Sequence, residues 1–208
     1  MNRCFFLVLA LLLTLTLQAQ PIAPGQLTLI AHQESVLKFQ QELNKEFSTT
    51  ATSPLAPKER RQFKTLPFYP ISYNYYLEAT LLRDSTSLLF AMETSTSRRP
   101  LYRKYGTLRF VLKGQPLQLT VYQSLDLLKR EGFADYLFVP FTDPTNGHDT
   151  YGGRYLDLRI PPADRTTMSL DFNQAYNPSC AYNHAYSCPI PPAENRLTVP
   201  VTAGVRTE

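Results

Sequence analysis

Two polar runs hold most of the side chains that could do chemistry in this 208-residue chain. FTDPTNGHDTYGGRYLDL, residues 141–158, carries Asp143, His148, Asp149, Tyr151 and Arg154. LDFNQAYNPSCAYNHAYSCPIPPAENRL, residues 170–197, carries Asp171, Asn173, Tyr176, Cys180, His184, Cys188, Glu194 and Asn195. Arg154 is the sharpest signal, because it shares parity with Leu156, Leu158 and Ile160, the apolar face of a strand. An arginine there must be paired or lie at a cavity mouth, since a bare buried charge costs several kcal/mol. Its candidate partners are Asp143, Asp149 and Glu194. Arg154 then either staples the long C-terminal loop or anchors a small anionic ligand through bidentate hydrogen bonds to a carboxylate or phosphate. The candidate binding set is Asp143, Asp149, Tyr151, Arg154, Asp171, Asn173, Tyr176, Glu194 and Asn195.

Other chemistries have less behind them. Asp143, Asp149, Asp157, Asp171 and Glu194 could include an acid/base pair, which keeps a hydrolase open as an alternative. No Gly-x-Ser-x-Gly, glycine-rich phosphate loop or dinucleotide fingerprint occurs. Asp143, Thr145 and Asp149 match a calcium loop only loosely, with too few carboxylates and no terminal Glu, so no metal site is expected there. Cys180 and Cys188 read as a disulfide that would contribute roughly 2.5 kcal/mol in the chain-entropy picture. Zinc with His184 between them is the rival, although the spacing is not a usual zinc pattern. Asn173, Asn177 and Asn195 also have a plain structural reading, as partners for loop backbone. The sequence names no cofactor.

The remainder of the chain sets the compartment. Arg3, an apolar run from Cys4 to Leu17 and Leu17-Gln18-Ala19 form a secretory signal peptide, expected over residues 1–19. Cys4 precedes any cleavage point, so it is not a lipoprotein cysteine, and no second apolar run is long enough to span a bilayer. The expected location is periplasmic or secreted. Residues 20–208 then make one globular domain. Net charge is +4, with basic residues in scattered pairs rather than one stripe, which argues against nucleic acid.

Positioning elements follow from periodicity. Leu29, His32, Val36, Phe39, Leu43 and Phe47 recur at helical steps, predicting a helix over 28–47. From residue 71 the period becomes two. Strands are predicted near 75–81, 87–93, 102–113, 117–121, 136–141, 156–160 and 168–172, with a last short strand at 197–201. Close spacing and turn residues favour antiparallel hairpins. The expected fold is mainly β: a single antiparallel β-sandwich or open barrel-like domain with an N-terminal helix and a long C-terminal loop.

At Gly153-Arg154-Tyr155-Leu156-Asp157, Asp171-Phe172-Asn173-x-Ala175-Tyr176-Asn177-Pro178, Cys180-Ala181-Tyr182 and Cys188-Pro189-x-Pro191-Pro192-x-Glu194-Asn195-Arg196-Leu197 the chain resembles an uncharacterised bacterial family, a domain of unknown function. Asp149 stands where that family's pattern has Glu, and only Gly152 separates Tyr151 from Gly153, one small residue fewer than the pattern. The resemblance implies a single domain and brings no activity with it. Three functions therefore remain: a non-catalytic small-ligand module, a structural or interaction protein of the cell envelope, and a hydrolase using carboxylates near Arg154.

Overall fold

The computed structural model describes residues 24–207; the expected signal peptide lies outside them. Helix α1 (Pro24–Ser48) leads, followed by a short α2 (Pro57–Gln62). The strands are β1 (Tyr76–Arg83), β2 (Phe90–Ala91), β3 (Leu101–Leu112), β4 (Gln115–Ser124), β5 (Tyr136–Phe141), β6 (Arg154–Arg159) and β7 (Thr167–Asp171). A single turn of helix, α3 (Leu125–Leu128), follows β4, with Leu127 N–H donating to Ser124 Oγ. All pairings are antiparallel, in the order β6-β5-β4-β3-β1-β7 with β2 on β3. The sheet curls into a half-barrel, the mainly β architecture expected from the strand pattern. No helix among the described residues is long and apolar enough to cross a membrane.

Two local devices shape the sheet. Lys113 and Gly114 both take positive φ, 50° and 76°, which closes the β3–β4 hairpin in two residues with the twist its strands need. A register shift between Lys104 and Gly106 then inverts the alternation of β3. Beyond it Leu108, Phe110 and Leu112 face the concave core, whereas Tyr102 joins the cluster on the other face. Gly106 is required at the shift: a Cβ there would sit 2.4 Å from the carbonyl oxygen of Leu82.

Both faces of the sheet are covered by the chain's own C-terminal half. On the concave side Leu197, Val199, Val201 and Ala203 pack against Leu119, Val121, Leu137, Val139 and Leu156. On the convex side the loop through Cys180 and Cys188 covers Met92, Tyr102, Tyr122, Phe138 and Tyr155. It is held there by backbone bonds from Ser95 N–H to Cys188 O and from Ile190 N–H to Glu93 O. Burial on both sides explains why Arg154, Tyr155 and Leu156 are all inaccessible at the start of β6.

The apolar stripe of α1 is partly used. His32, Val36 and Phe47 are buried, Phe39 and Leu43 half-buried, and Leu29 exposed. Phe47 joins Leu66 and Val205 in a third cluster that seats the helix on the end of the tail. Two strand expectations need correction. The predicted strand at 87–93 shrinks to Phe90–Ala91, and Leu88 stands 85% exposed, because the loop before it leaves the sheet instead of pairing. The predicted strand at 197–201 is extended but joins no ladder. Leu197 N–H donates to Thr142 O, and across residues 200–203 the hydrogen bonds go to side chains instead.

Candidate functional site

Two of those side chains are Arg154 and Asp143; Tyr75 and Lys113 are the others. Arg154 has no exposed surface and donates through Nη1 to Ala203 O (2.6 Å) and through Nη2 to Val201 O (2.8 Å) and Asp143 Oδ2 (2.7 Å). Asp143 Oδ1 accepts from Val201 N–H at 3.1 Å and Thr145 N–H at 2.9 Å. One ion pair thus supplies what a neighbouring strand would have given the tail. Of the three carboxylates that could have paired Arg154, Asp143 does so. The Arg154 guanidinium lies 5.3 Å from the centre of the Phe141 ring, and its Nε–H alone has no acceptor. An anion would reach this arginine only by displacing the tail.

The loop that presents Asp143 is closed on itself. Asn146 accepts from Asp143 N–H and donates to Thr150 Oγ1 and Tyr151 O, while Gly147 takes φ 79°. Asp149 is exposed, and its carbonyl accepts from Thr207 N–H.

Further nominated residues are engaged in the same way, each at a different place. The Asn195 amide donates to Thr120 O and Pro140 O and accepts from Thr120 N–H, filling a gap where β4 and β5 pair at Tyr122–Phe138. Asn173 forms the equivalent bonds with both backbone groups of Ser72 and also donates to Asp171 Oδ1. Asp171 Oδ2 meets His32 Nε2 at 3.1 Å, fastening α1 to β7. Glu194 accepts from Tyr122 and pairs with Lys104 at 2.7 Å; the Lys104 bond is the main reason its carboxyl is held below the usual range. Tyr176 donates to Asp157 Oδ1 at 2.8 Å, and burial lifts its phenol well above the ordinary value. The Asp143 and Glu194 carboxylates therefore serve separate elements, while Asp149 is exposed and forms no ion pair with a described residue.

Cys180 and Cys188 are both buried thiols here, and the expected disulfide is not formed. The two are adjacent, with Cys180 N–H donating to Cys188 Sγ at 3.1 Å. Burial, with the neighbouring Cys180 thiol, pushes Cys188 up to about 12. His184 is exposed, and no three His, Cys, Asp or Glu side chains among the described residues converge as a metal would require.

An open cavity lies elsewhere, under the end of the tail. Its volume is about 270 Å3, and its walls are Leu55, Phe63, Leu66, Pro67 and Tyr182. Tyr151, Asn177 and Arg206 add polar groups. Arg206 is exposed, stacks over Tyr69 at 5.1 Å, and forms no ion pair with a described residue. Asn177 Nδ2 donates to Tyr182 Oη at 3.2 Å and Arg206 O at 3.4 Å, whereas its buried Oδ1 has no donor. The carbonyl of Arg206 requires an N–H and so orients the amide. Burial pushes the Tyr182 phenol up to about 12. Of the nine residues nominated from sequence, Tyr151 alone lines this cavity. Arg206 was missed, because nothing in its local sequence marks it as lining a cavity.

Two comparisons bear on the fold. Residues 61–206 match a family described as "Protein of unknown function (DUF1684)". The chain belongs to this family. The DUF1684 match takes in every strand, the Arg154–Asp143 pair and the tail, and it begins beyond α1. The solution NMR structure of an uncharacterised protein from Haloarcula marismortui is similar, at 35% identity and a TM-score of 0.68. That likeness covers 86% of this chain and 96% of the other. No curated protein matches.

Proposed function

We propose that this DUF1684 protein is an exported, non-catalytic module that binds a small anionic ligand with an apolar body. The observation that carries the reading is the cavity of about 270 Å3 under the tail, apolar in its walls and bearing the Arg206 guanidinium at its rim. Such a lining favours a ligand whose hydrocarbon part enters and whose carboxylate stays at the mouth. Arg154 has the opposite role in this reading: it holds the tail that forms one wall. The hydrolase alternative is the weaker reading, because Asp143 and Glu194 are paired with different cations at different places.

The test is a thermal-shift and NMR titration with hexanoate, benzoate and 4-hydroxyphenylacetate. Binding that perturbs Phe63, Leu66 and Tyr182 and weakens in Arg206→Ala is expected. If no carboxylate binds, or binding is unchanged in Arg206→Ala, the module reading fails and a structural role in the envelope takes its place.

Export also bears on Cys180 and Cys188. In an oxidising compartment, exchange with a disulfide donor would join the adjacent thiols, their two protons and two electrons passing to the donor, which leaves as a dithiol. Unreduced, denatured protein recovered from that compartment should then show no mass gain on alkylation; two labelled thiols would refute the bridge.

A further inference from the structure

The loop between β1 and β2 carries Leu88 and Leu89, 85% and 54% exposed. Leu88 is the most exposed large apolar side chain among the described residues. Just before it, Ser87 ties the loop to β3, its hydroxyl accepting from Lys104 N–H at 2.9 Å. Continuing the β2–β3 register, in which Phe90 lies opposite Tyr102, sets Leu89 opposite Arg103. Ser87 is also part of the wall of a hollow of about 350 Å3, whose charged lining is Arg83, Asp84, Arg103 and Lys104. The two leucines therefore follow directly from the rim of a basic hollow. Of its cations, Lys104 is paired with Glu194. Arg83 donates to neutral acceptors, the carbonyls of Pro162 and Arg165, and Arg103 donates to the Gln123 amide oxygen. Neither arginine forms an ion pair with a described residue. The one acid in the lining, Asp84, turns Oδ1 to its own loop, accepting from Thr86 N–H and from the Thr86 hydroxyl at 2.9 Å each.

We propose that this loop docks on the surface of a bilayer containing anionic phospholipid. Leu88 and Leu89 enter the boundary of the acyl chains, and Arg83 and Arg103 meet lipid phosphates. A single exposed leucine would be ordinary surface. Here two stand together beside two guanidinium groups whose charge no acid neutralises. The occupant complementary to that pattern is negatively charged at its face and apolar beneath it, which is the order of groups met on entering an anionic bilayer. Guanidinium suits phosphate oxygens through its paired donors. Arg83 and Arg103 would give up carbonyl or amide acceptors to bind one, and not a countercharge. Neither signal is strong alone, and together they give the reversible attachment of a peripheral protein. A protein partner fits less well, because protein interfaces are centred on packed apolar side chains depleted of charge. The hollow shares no lining residue with the cavity under the tail, so the proposal does not rest on carboxylate binding there.

The chain has no tryptophan, so Leu88→Trp places a single reporter on the loop. The experiment titrates this variant of the mature exported chain, free of the apolar leader that would itself bind lipid, with two kinds of vesicle. One is phosphatidylcholine alone, and the other is equal parts phosphatidylcholine and phosphatidylglycerol. Blue-shifted emission that acyl-brominated lipid quenches is expected with the anionic vesicles, and it should be lost at high salt. In cosedimentation of the tryptophan-free protein, Leu88→Ser with Leu89→Ser should weaken vesicle binding roughly tenfold, and Arg83→Gln or Arg103→Gln roughly fivefold each. All four positions are exposed, so these variants should fold as the parent does. Leu37→Ser, at an exposed leucine of α1, should leave binding unchanged. Emission that stays at its aqueous wavelength with anionic vesicles, or equal binding to phosphatidylcholine alone, would overturn the proposal. So would a blue shift that grows with protein concentration in the absence of lipid, which would assign the loop to contact with a second copy of the chain.

Discussion

The polar groups around Arg154 and those around Asn177 lie along the same tail, yet they differ in how far their hydrogen-bonding capacity is used. At Arg154 an ion pair with no exposed side-chain surface takes up two tail carbonyls and a tail amide, and only the Arg154 Nε–H is left without an acceptor. At Asn177 half of a buried amide is idle, Arg206 nearby has no acidic partner among the described residues, and open volume adjoins both. Saturated polar clusters specify a fold, whereas unsaturated ones beside a cavity leave binding free energy for a ligand. The residue types alone do not separate the two: a buried arginine is the more arresting feature in sequence, and it is the one the fold consumes.

The sharpest test of the contrast is Arg154→Ala. It leaves Asp143 buried without its cation and frees two tail carbonyls, so a loss of about 3–5 kcal/mol is expected in urea unfolding. Replacing the pair together, Arg154→Met with Asp143→Leu, should not restore stability. The amide of Val201 and the carbonyls of Val201 and Ala203 would still lack partners. Full recovery in the double variant would show that the pair is a dispensable ion pair and not the tail's substitute ladder.

Two asparagines give a smaller and cleaner version. Asn195→Ala removes bonds of 2.7, 2.8 and 2.7 Å that bridge β4 and β5, and should cost about 2–3 kcal/mol. Asn177→Ala removes only two long ones and an already idle oxygen, and should cost under about 1 kcal/mol. Similar losses by equilibrium unfolding would erase the distinction between a committed and an available amide.

How much of this was legible follows from what each signal depends on. The parity of Arg154 with Leu156 placed it inside, because strand alternation is local. The helical stripe ending at Phe47 and the face holding Leu108, Phe110 and Leu112 were legible for the same reason. Residues 197–201 read as a strand because apolar alternation reports burial, and Leu197, Val199 and Val201 are buried; it does not report whether the ladder partner is a strand or a side chain. Ser87–Glu93 misled through composition alone, since apolar residues in a loop look like strand until the pairing is known. Among candidate site residues, sequence nominated polar groups by type, while availability depends on partners brought from afar: Thr120 to Asn195, Ser72 to Asn173, and Lys104 to Glu194. Glu46 of α1 and Asp157 of β6 could not be joined at all, being far apart in sequence and brought to line one hollow only by the packing of α1.

The smallest expected effect compares Asp157 with Asp143, two aspartates whose surroundings differ in kind. Asp143 faces a guanidinium. Asp157 faces two phenols, with Glu46 and the Arg159 guanidinium nearby; although the residue is partly exposed, loss of solvent around its carboxyl lifts it above the ordinary 3.8. With its folded-state value raised, the native protein holds this proton more firmly than the unfolded chain does. Stability from this group is then present at low pH and declines as pH rises from the unfolded value through the folded one. Asp157→Asn removes that decline while keeping an acceptor for Tyr136 and Tyr176. Its melting temperature should match the parent's in acid and exceed it at neutral pH, by about 2 °C because the partly exposed carboxylate is screened. Scanning melts of both proteins across pH 3–8 checks this, and an Asp157→Asn that melts lower at neutral pH would mean that the negative charge is already compensated, as it is at Asp143.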